Sequence, residues 1–232
     1  RILWIRYIEG RENIMLNGTL DSLGEAVAVN DGLQAEESVA LEMTRLETFE
    51  NKPYLSEVDE IRVTETAEIM ADVFSEDVLS NWSEMSVDEK SAKLNEYYIR
   101  AGENLGIQTK GVIIETMPCE TPGMVNFGYN SGDGYIHLNA DVLNDPTQFS
   151  QILDTATHEM RHQFQSDVLA APHNFSDIPQ DVMAAWEYEL DPRNYISPDY
   201  DYQGYYEQAI ERDARDFAED VLRTYTQKLN LN

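Results

Sequence analysis

An α+β fold is predicted by three observations on this 232-residue chain. Helical periodicity dominates residues 1–106, three short alternating segments follow between residues 111 and 139, and long helical stretches resume at 147. Segregated helices and strands, with no regular β-α alternation, argue for a small sheet packed against helices.

The elements follow in chain order. A short apolar start, Ile2-Leu3-Trp4-Ile5, precedes helical stretches near 34–50, 57–80 and 87–105, the last stopped by Gly106. Residues 111–117, 123–129 and 134–139 read as strands, and Asn130-Ser131-Gly132-Asp133-Gly134 supplies a turn before the third. Helices near 147–168, 179–189 and 203–227 complete the chain, with Pro192 and Pro198 in the loop before the last. A division near residue 106 separates a mostly helical region, 1–106, from a second region, 107–232.

Chemistry concentrates in the helix over 147–168. His158-Glu159-Met160-Arg161-His162 matches H-E-x-x-H, and residues four apart on a helix share a face, so both imidazoles can bind one metal ion. Glu159 leans toward the same site, where it can take a proton from a metal-activated water. From Gln151 to Val168, the apolar residues Ile152, Leu153, Ala156, Met160, Phe164 and Val168 fall on one side. Gln151, Thr155, His158, His162 and Gln165 fall on the other. The helix is therefore expected to pack along one face and present its histidines along the opposite one.

A catalytic zinc site takes three protein ligands and leaves a fourth position for water. On the helix over 203–227, Tyr206, Ile210, Ala214, Phe217, Ala218, Val221 and Leu222 mark the buried side. Glu207 and Glu211 break that pattern, because a carboxylate within an apolar sector is costly without a partner that an ion would supply. Glu211 is the better candidate, since Ala214 one turn later leaves room for a neighbouring helix.

With His158, Glu159 and His162 followed by Glu211-x-x-Ala214, the chain resembles the zincin metallopeptidases whose third zinc ligand is a glutamate on a later helix. It is similar to the compact zincin-like domains of bacterial and phage proteins. The resemblance implies a zincin-like fold, one Zn²⁺ held by His158, His162 and Glu211, Glu159 as general base, and a peptide or protein substrate. Arg215 stands where many relatives carry an aspartate, which leaves the partner behind the histidines open among Asp213, Asp216 and Asp154. In such folds the strand before the motif helix forms the edge of the sheet and lines the cleft, so His137 and Asn139 become candidate substrate contacts. A donor to the oxyanion is also expected. His173 and the tyrosines before Glu211 (Tyr195, Tyr200, Tyr202, Tyr205 and Tyr206) are the candidates.

Two other readings remain. Cys119 lies upstream of the motif helix as the metal-binding cysteine of peptide deformylases does, which would make the protein a metal-dependent amide hydrolase, although the cysteine's setting differs. A zincin-like scaffold that binds a partner protein without turnover is the third.

Composition narrows the partners. With 44 Asp and Glu against 16 Lys and Arg, a net charge of −28 argues against nucleic acid or an anionic membrane. One cysteine precludes an internal disulfide, and no apolar run approaches the ~20 residues of a membrane span. The chain begins at Arg1 rather than Met, which leaves room for a signal peptide or further domains upstream.

Overall fold

The computed structural model describes residues 2–7 (as backbone), 55, 58–118 and 124–229. Within them are strand β1 (Ile2–Tyr7), helices α1 (Glu60–Val73), α2 (Glu76–Asn81) and α3 (Val87–Leu105), strands β2 (Gly111–Glu115), β3 (Met124–Asn130) and β4 (Tyr135–Asn139), and helices α4 (Ala140–Asn144), α5 (Phe149–Ala170), α6 (Gln180–Leu190), α7 (Tyr202–Glu207) and α8 (Ala209–Lys228). This is the α+β arrangement read from the pattern. The helix expected over 34–50 and residue Cys119 lie outside the described residues.

Local chemistry accounts for several boundaries. Ser86 and Glu89 form a reciprocal capping box at the start of α3, and Gly106 ends it in the left-handed conformation at φ 72°. Leu94, Tyr97, Tyr98, Ala101 and Leu105 recur at three- and four-residue spacing along its buried side. Asn139 closes β4 and caps α4 by accepting a hydrogen bond from the Asp141 N–H at 3.0 Å.

The sheet runs in the order β1-β3-β4-β2. Strands β3 and β4 pair antiparallel, as do β1 and β3, while β2 runs parallel to β4. This corrects the expectation for the strand before the motif helix, because β4 lies between two neighbours and is not an edge. Alternation in sequence reports one buried face; it cannot show which strand lies alongside, and here Val112–Glu115 pair with Ile136–Asn139.

Helix α5 crosses the sheet closely at Gly128, where an added Cβ would stand 2.6 Å from the His137 carbonyl and 2.9 Å from Thr155 Cγ2. The Tyr97 and Thr157 hydroxyls, 2.8 Å apart, join α5 to α3. Helix α8 packs along another side of α5. The polar side of α5 is covered as well as the apolar one: every residue from Thr155 to Gln165 is buried. A second correction concerns the single helix expected over 203–227. Its backbone breaks at Gln208 (φ −58°, ψ 139°), whose side-chain amide instead accepts from Ile196 N–H at 2.8 Å and donates to Ile196 O at 3.2 Å.

The core continues across residue 106. Val63, Ala67 and Met70 of α1 and the apolar face of α3 belong to the same buried cluster as Met160 and Phe164 of α5 and Phe217 and Val221 of α8. Tyr225 near the end of α8 donates to the Phe74 carbonyl at 2.8 Å.

An ionic network lies within this helical packing. The fully buried Arg161 donates to Asp213 on α8 through Nε at 2.8 Å and Nη2 at 3.0 Å, and through Nη2 also to Asp59 at the start of α1. Its guanidinium lies 4.5 Å from each of the Phe164 and Phe217 ring centres. Removing one partner of such a set leaves uncompensated charge in the interior. Arg161→Leu is accordingly expected to destabilise the fold by about 3–5 kcal/mol in chemical denaturation. A loss below about 1 kcal/mol, typical of an exposed pair, would show that Asp59 and Asp213 reach water.

Candidate metal centre

Three ligand-type atoms converge where α5 and α8 meet. His158 Nε2 lies 3.0 Å from His162 Nε2, and Glu211 Oε2 lies 3.4 Å from the first and 3.5 Å from the second. The imidazole planes stand at 83°, as two rings turned toward one point. For a tetrahedral ion with ligand bonds of about 2.0–2.1 Å, ligand atoms stand about 3.3 Å apart, and the triangle matches that spacing. All three residues are buried, and Glu211 Oε2 accepts no hydrogen bond among the described residues. The group therefore fits a metal ion.

Polar partners hold the triangle in place. His162 Nδ1 stands 2.7 Å from Gln165 Oε1, and Gln165 Nε2 donates to Ile210 O at 2.9 Å and to Asp213 Oδ2 at 2.8 Å. Tyr195 donates to Glu211 Oε1 at 3.2 Å. The Tyr205 hydroxyl is buried near the same carboxylate but lacks the geometry of a hydrogen bond to it.

Burial and the mutual attraction of these groups set their proton affinities. Burial presses the His158 imidazole down to about 4, with His162 and Arg215 adding to the effect while Glu211 opposes it. For His162 burial acts in the same direction, but attraction to the Glu211 carboxylate outweighs it and lifts the ring to about 9. Glu211 is held well below the usual carboxylate range, because the imidazoles overcome the cost of burying its charge. A protonated His162 thus faces the ionised Glu211 carboxylate. Glu159 is different: burial pushes its carboxyl up to about 8, and neither oxygen accepts a hydrogen bond among the described residues. Its backbone carbonyl accepts from Asn130 Nδ2 at 3.1 Å.

The other sequence candidates fall elsewhere. Glu207 is separated from Glu211 by the break at Gln208 and bonds Gln203 within α7. Tyr206 carries the Arg215 guanidinium 3.6 Å from its ring centre. His173 is exposed in a 3-10 turn, and no hydrogen bond or ion pair among the described residues ties it to the triangle. Tyr200 and Tyr202 are largely exposed. His137 belongs to a separate cluster on the sheet, stacked on Tyr129 at 4.2 Å and bonded to Glu115 at 2.9 Å. Asn139 is buried and spends its amide on Asn126 O and the α4 cap.

Of the three carboxylates considered behind the histidines, Asp213 takes the role, indirectly through Gln165. Asp154 bonds Gln151 at 2.9 Å, and Asp216 pairs with Arg212 at 3.6 Å. Gln165, Arg161 and Asp59 escaped the sequence reading as supporting residues. Two of them flank His162 within the motif helix, and their only signal was polarity on a helix long enough to be central.

If the triangle holds one ion, His158→Ala, His162→Ala and Glu211→Ala each lose zinc to a mild chelator, while Glu207→Ala and Cys119→Ser retain it; mass spectrometry of the native protein reads the occupancy. Full occupancy in Glu211→Ala would move the third ligand elsewhere. Because His162 keeps its proton to about pH 9 in the metal-free state, an incoming cation must displace it. Acid therefore weakens binding. The apparent affinity for zinc should rise about tenfold per unit between pH 6 and 8, measured by chelator competition, and a flat profile would overturn this charge assignment. Compared with protein-family models, curated protein sequences and solved structures, the chain matches none of them.

Proposed function

We propose that this chain is a zinc-dependent metallopeptidase of zincin-like architecture, with His158, His162 and Glu211 as ligands and Glu159 as general base. The observation that carries the reading is the 3.0, 3.4 and 3.5 Å triangle, with Glu159 adjacent in sequence to His158. Two imidazoles and one carboxylate suit zinc, which takes nitrogen and oxygen ligands in a tetrahedral site. A zinc ion held there supplies Lewis acidity to the attacking water and to the scissile carbonyl.

The chain's own residues do the rest. Glu159, whose carboxyl accepts no hydrogen bond among the described residues, takes the proton of the attacking water and delivers it to the departing amine. Beside a cation its carboxyl ionises more readily than the metal-free value of about 8 indicates, which suits it to that exchange near neutral pH. Tyr195, bonded to Glu211 Oε1, holds the third ligand's free oxygen toward the histidines. The peptide nature of the substrate rests on the resemblance of the motif and Glu211 to the zincins.

A second reading, a zincin-like scaffold without turnover, is favoured by one observation: the ligand residues are at most 1% exposed. A site closed to that degree also suits an ion that holds α5 to α8. Hydrolysis of a proteome-derived peptide library by the zinc-loaded protein separates the two. Glu159→Gln should retain zinc and fold but lose about 10²–10⁴-fold in turnover. Undiminished hydrolysis would remove Glu159 from the mechanism. No hydrolysis by the wild type, together with a lowered Tm on zinc removal, would leave the scaffold.

A further inference from the structure

We propose that Gln165 is a positioning residue for the metal centre, one side-chain amide that orients His162 and anchors the backbone beside Glu211. The inference rests on the ligand assignment above. Its basis is that the amide can face only one way. Gln165 Nε2 lies 2.9 Å from Ile210 O and 2.8 Å from Asp213 Oδ2, two oxygens that can only accept. Reversing the amide would set oxygen against both.

The remaining oxygen therefore faces His162 Nδ1 at 2.7 Å, and an acceptor there requires Nδ1 to carry the hydrogen. The lone pair for an ion then belongs to Nε2, the atom turned toward His158 and Glu211. Ile210 immediately precedes Glu211, so the same amide fixes the start of α8 relative to α5. Two ligands from different helices are held by one group.

The orientation is locked from behind. Asp213 receives two hydrogen bonds from Arg161, which also bonds Asp59, and Asp59 receives a further one from Arg62 at 2.8 Å. Arg62 in turn reaches Asp177 at 2.7 Å. Gln165 and Arg161 are fully buried and Asp59 and Asp213 nearly so, and no exchange with water relieves a misplaced amide.

Gln165→Leu removes all three bonds at similar volume, and Gln163→Leu serves as the control. Gln163 is also buried, two residues away on the same helix, but bonds Asn130 Nδ2 at 3.4 Å, Gly134 N at 3.1 Å and Asp167 at 2.8 Å and no ligand. Zinc affinity is read by chelator competition, beside His162→Ala as the reference for ligand loss. Gln165→Leu should weaken zinc about 10–100-fold while Gln163→Leu keeps wild-type affinity whatever its stability. In the folded wild type, NMR of the zinc form should show a His162 Nδ1 proton protected from exchange, a measurement that stands even if Gln165→Leu does not fold. Equal affinity losses in the two glutamine variants, wild-type affinity in Gln165→Leu, or a rapidly exchanging Nδ1 proton would each overturn the proposal. If His162→Ala itself keeps its zinc, the ligand assignment has failed, and that outcome is distinct from the other three.

Discussion

The burial of a polar helix face against a second helix is the constraint from which the rest of the structure follows. Helix α5 carries His158, Glu159, Arg161, His162 and Gln165 into the interior, where each ionisable or hydrogen-bonding group needs a partner. Helix α8 supplies partners for all of them but Glu159: Glu211 for the imidazoles, Asp213 for Arg161 and Gln165, and the Ile210 carbonyl for Gln165. Apolar residues of both helices close around these contacts, with Phe217 and Phe164 each against the Arg161 guanidinium. The polar contacts decide which residues of α8 face α5, and the apolar ones hold the two together.

That constraint reaches beyond the two helices. Asp59, at the start of α1, supplies a further carboxylate to Arg161, so the region before residue 106 contributes to the surroundings of the centre as well as to the core. The same need for a partner shapes α7 and α8. A continuous helix through Gln208 would carry its amide away from Ile196; the break lets that amide satisfy both backbone groups of Ile196, in the loop that brings Tyr195 to Glu211.

Electrostatics give the site its character. A carboxylate, two imidazoles and a second carboxyl share a small buried volume, and their proton affinities move apart: burial lowers His158 and raises Glu159, while mutual attraction outweighs burial to raise His162 and lower Glu211. Such separation is expected of groups arranged to exchange a proton for a cation. The Glu159 carboxyl is set apart by accepting no hydrogen bond among the described residues, while Glu211 spends one oxygen on Tyr195. Two carboxyl groups in one buried site thus differ in protonation, one held ionised beside the imidazoles and one pushed toward its neutral form.

Much of this was legible in the residues. Four-residue spacing placed His158 and His162 on one face because helix geometry is local, and two carboxylates in the apolar sector of the last helix pointed to Glu211. The α+β class and the bounds of most elements followed from periodicity and from local signals such as Ser86, Gly106 and the glycine-rich turn before β4. Tertiary structure alone decided the rest. The position of β4 inside the sheet depends on β2, whose pairing no local pattern encodes. The roles of Gln165, Arg161 and Asp59 depend on groups 45 to 102 residues away in the chain, and the burial of the motif helix from Thr155 to Gln165 depends on α3, α8 and the sheet meeting around it. Sequence determines which groups a segment offers over a few residues; which of them lose water, and therefore need one another, is settled only when distant segments pack.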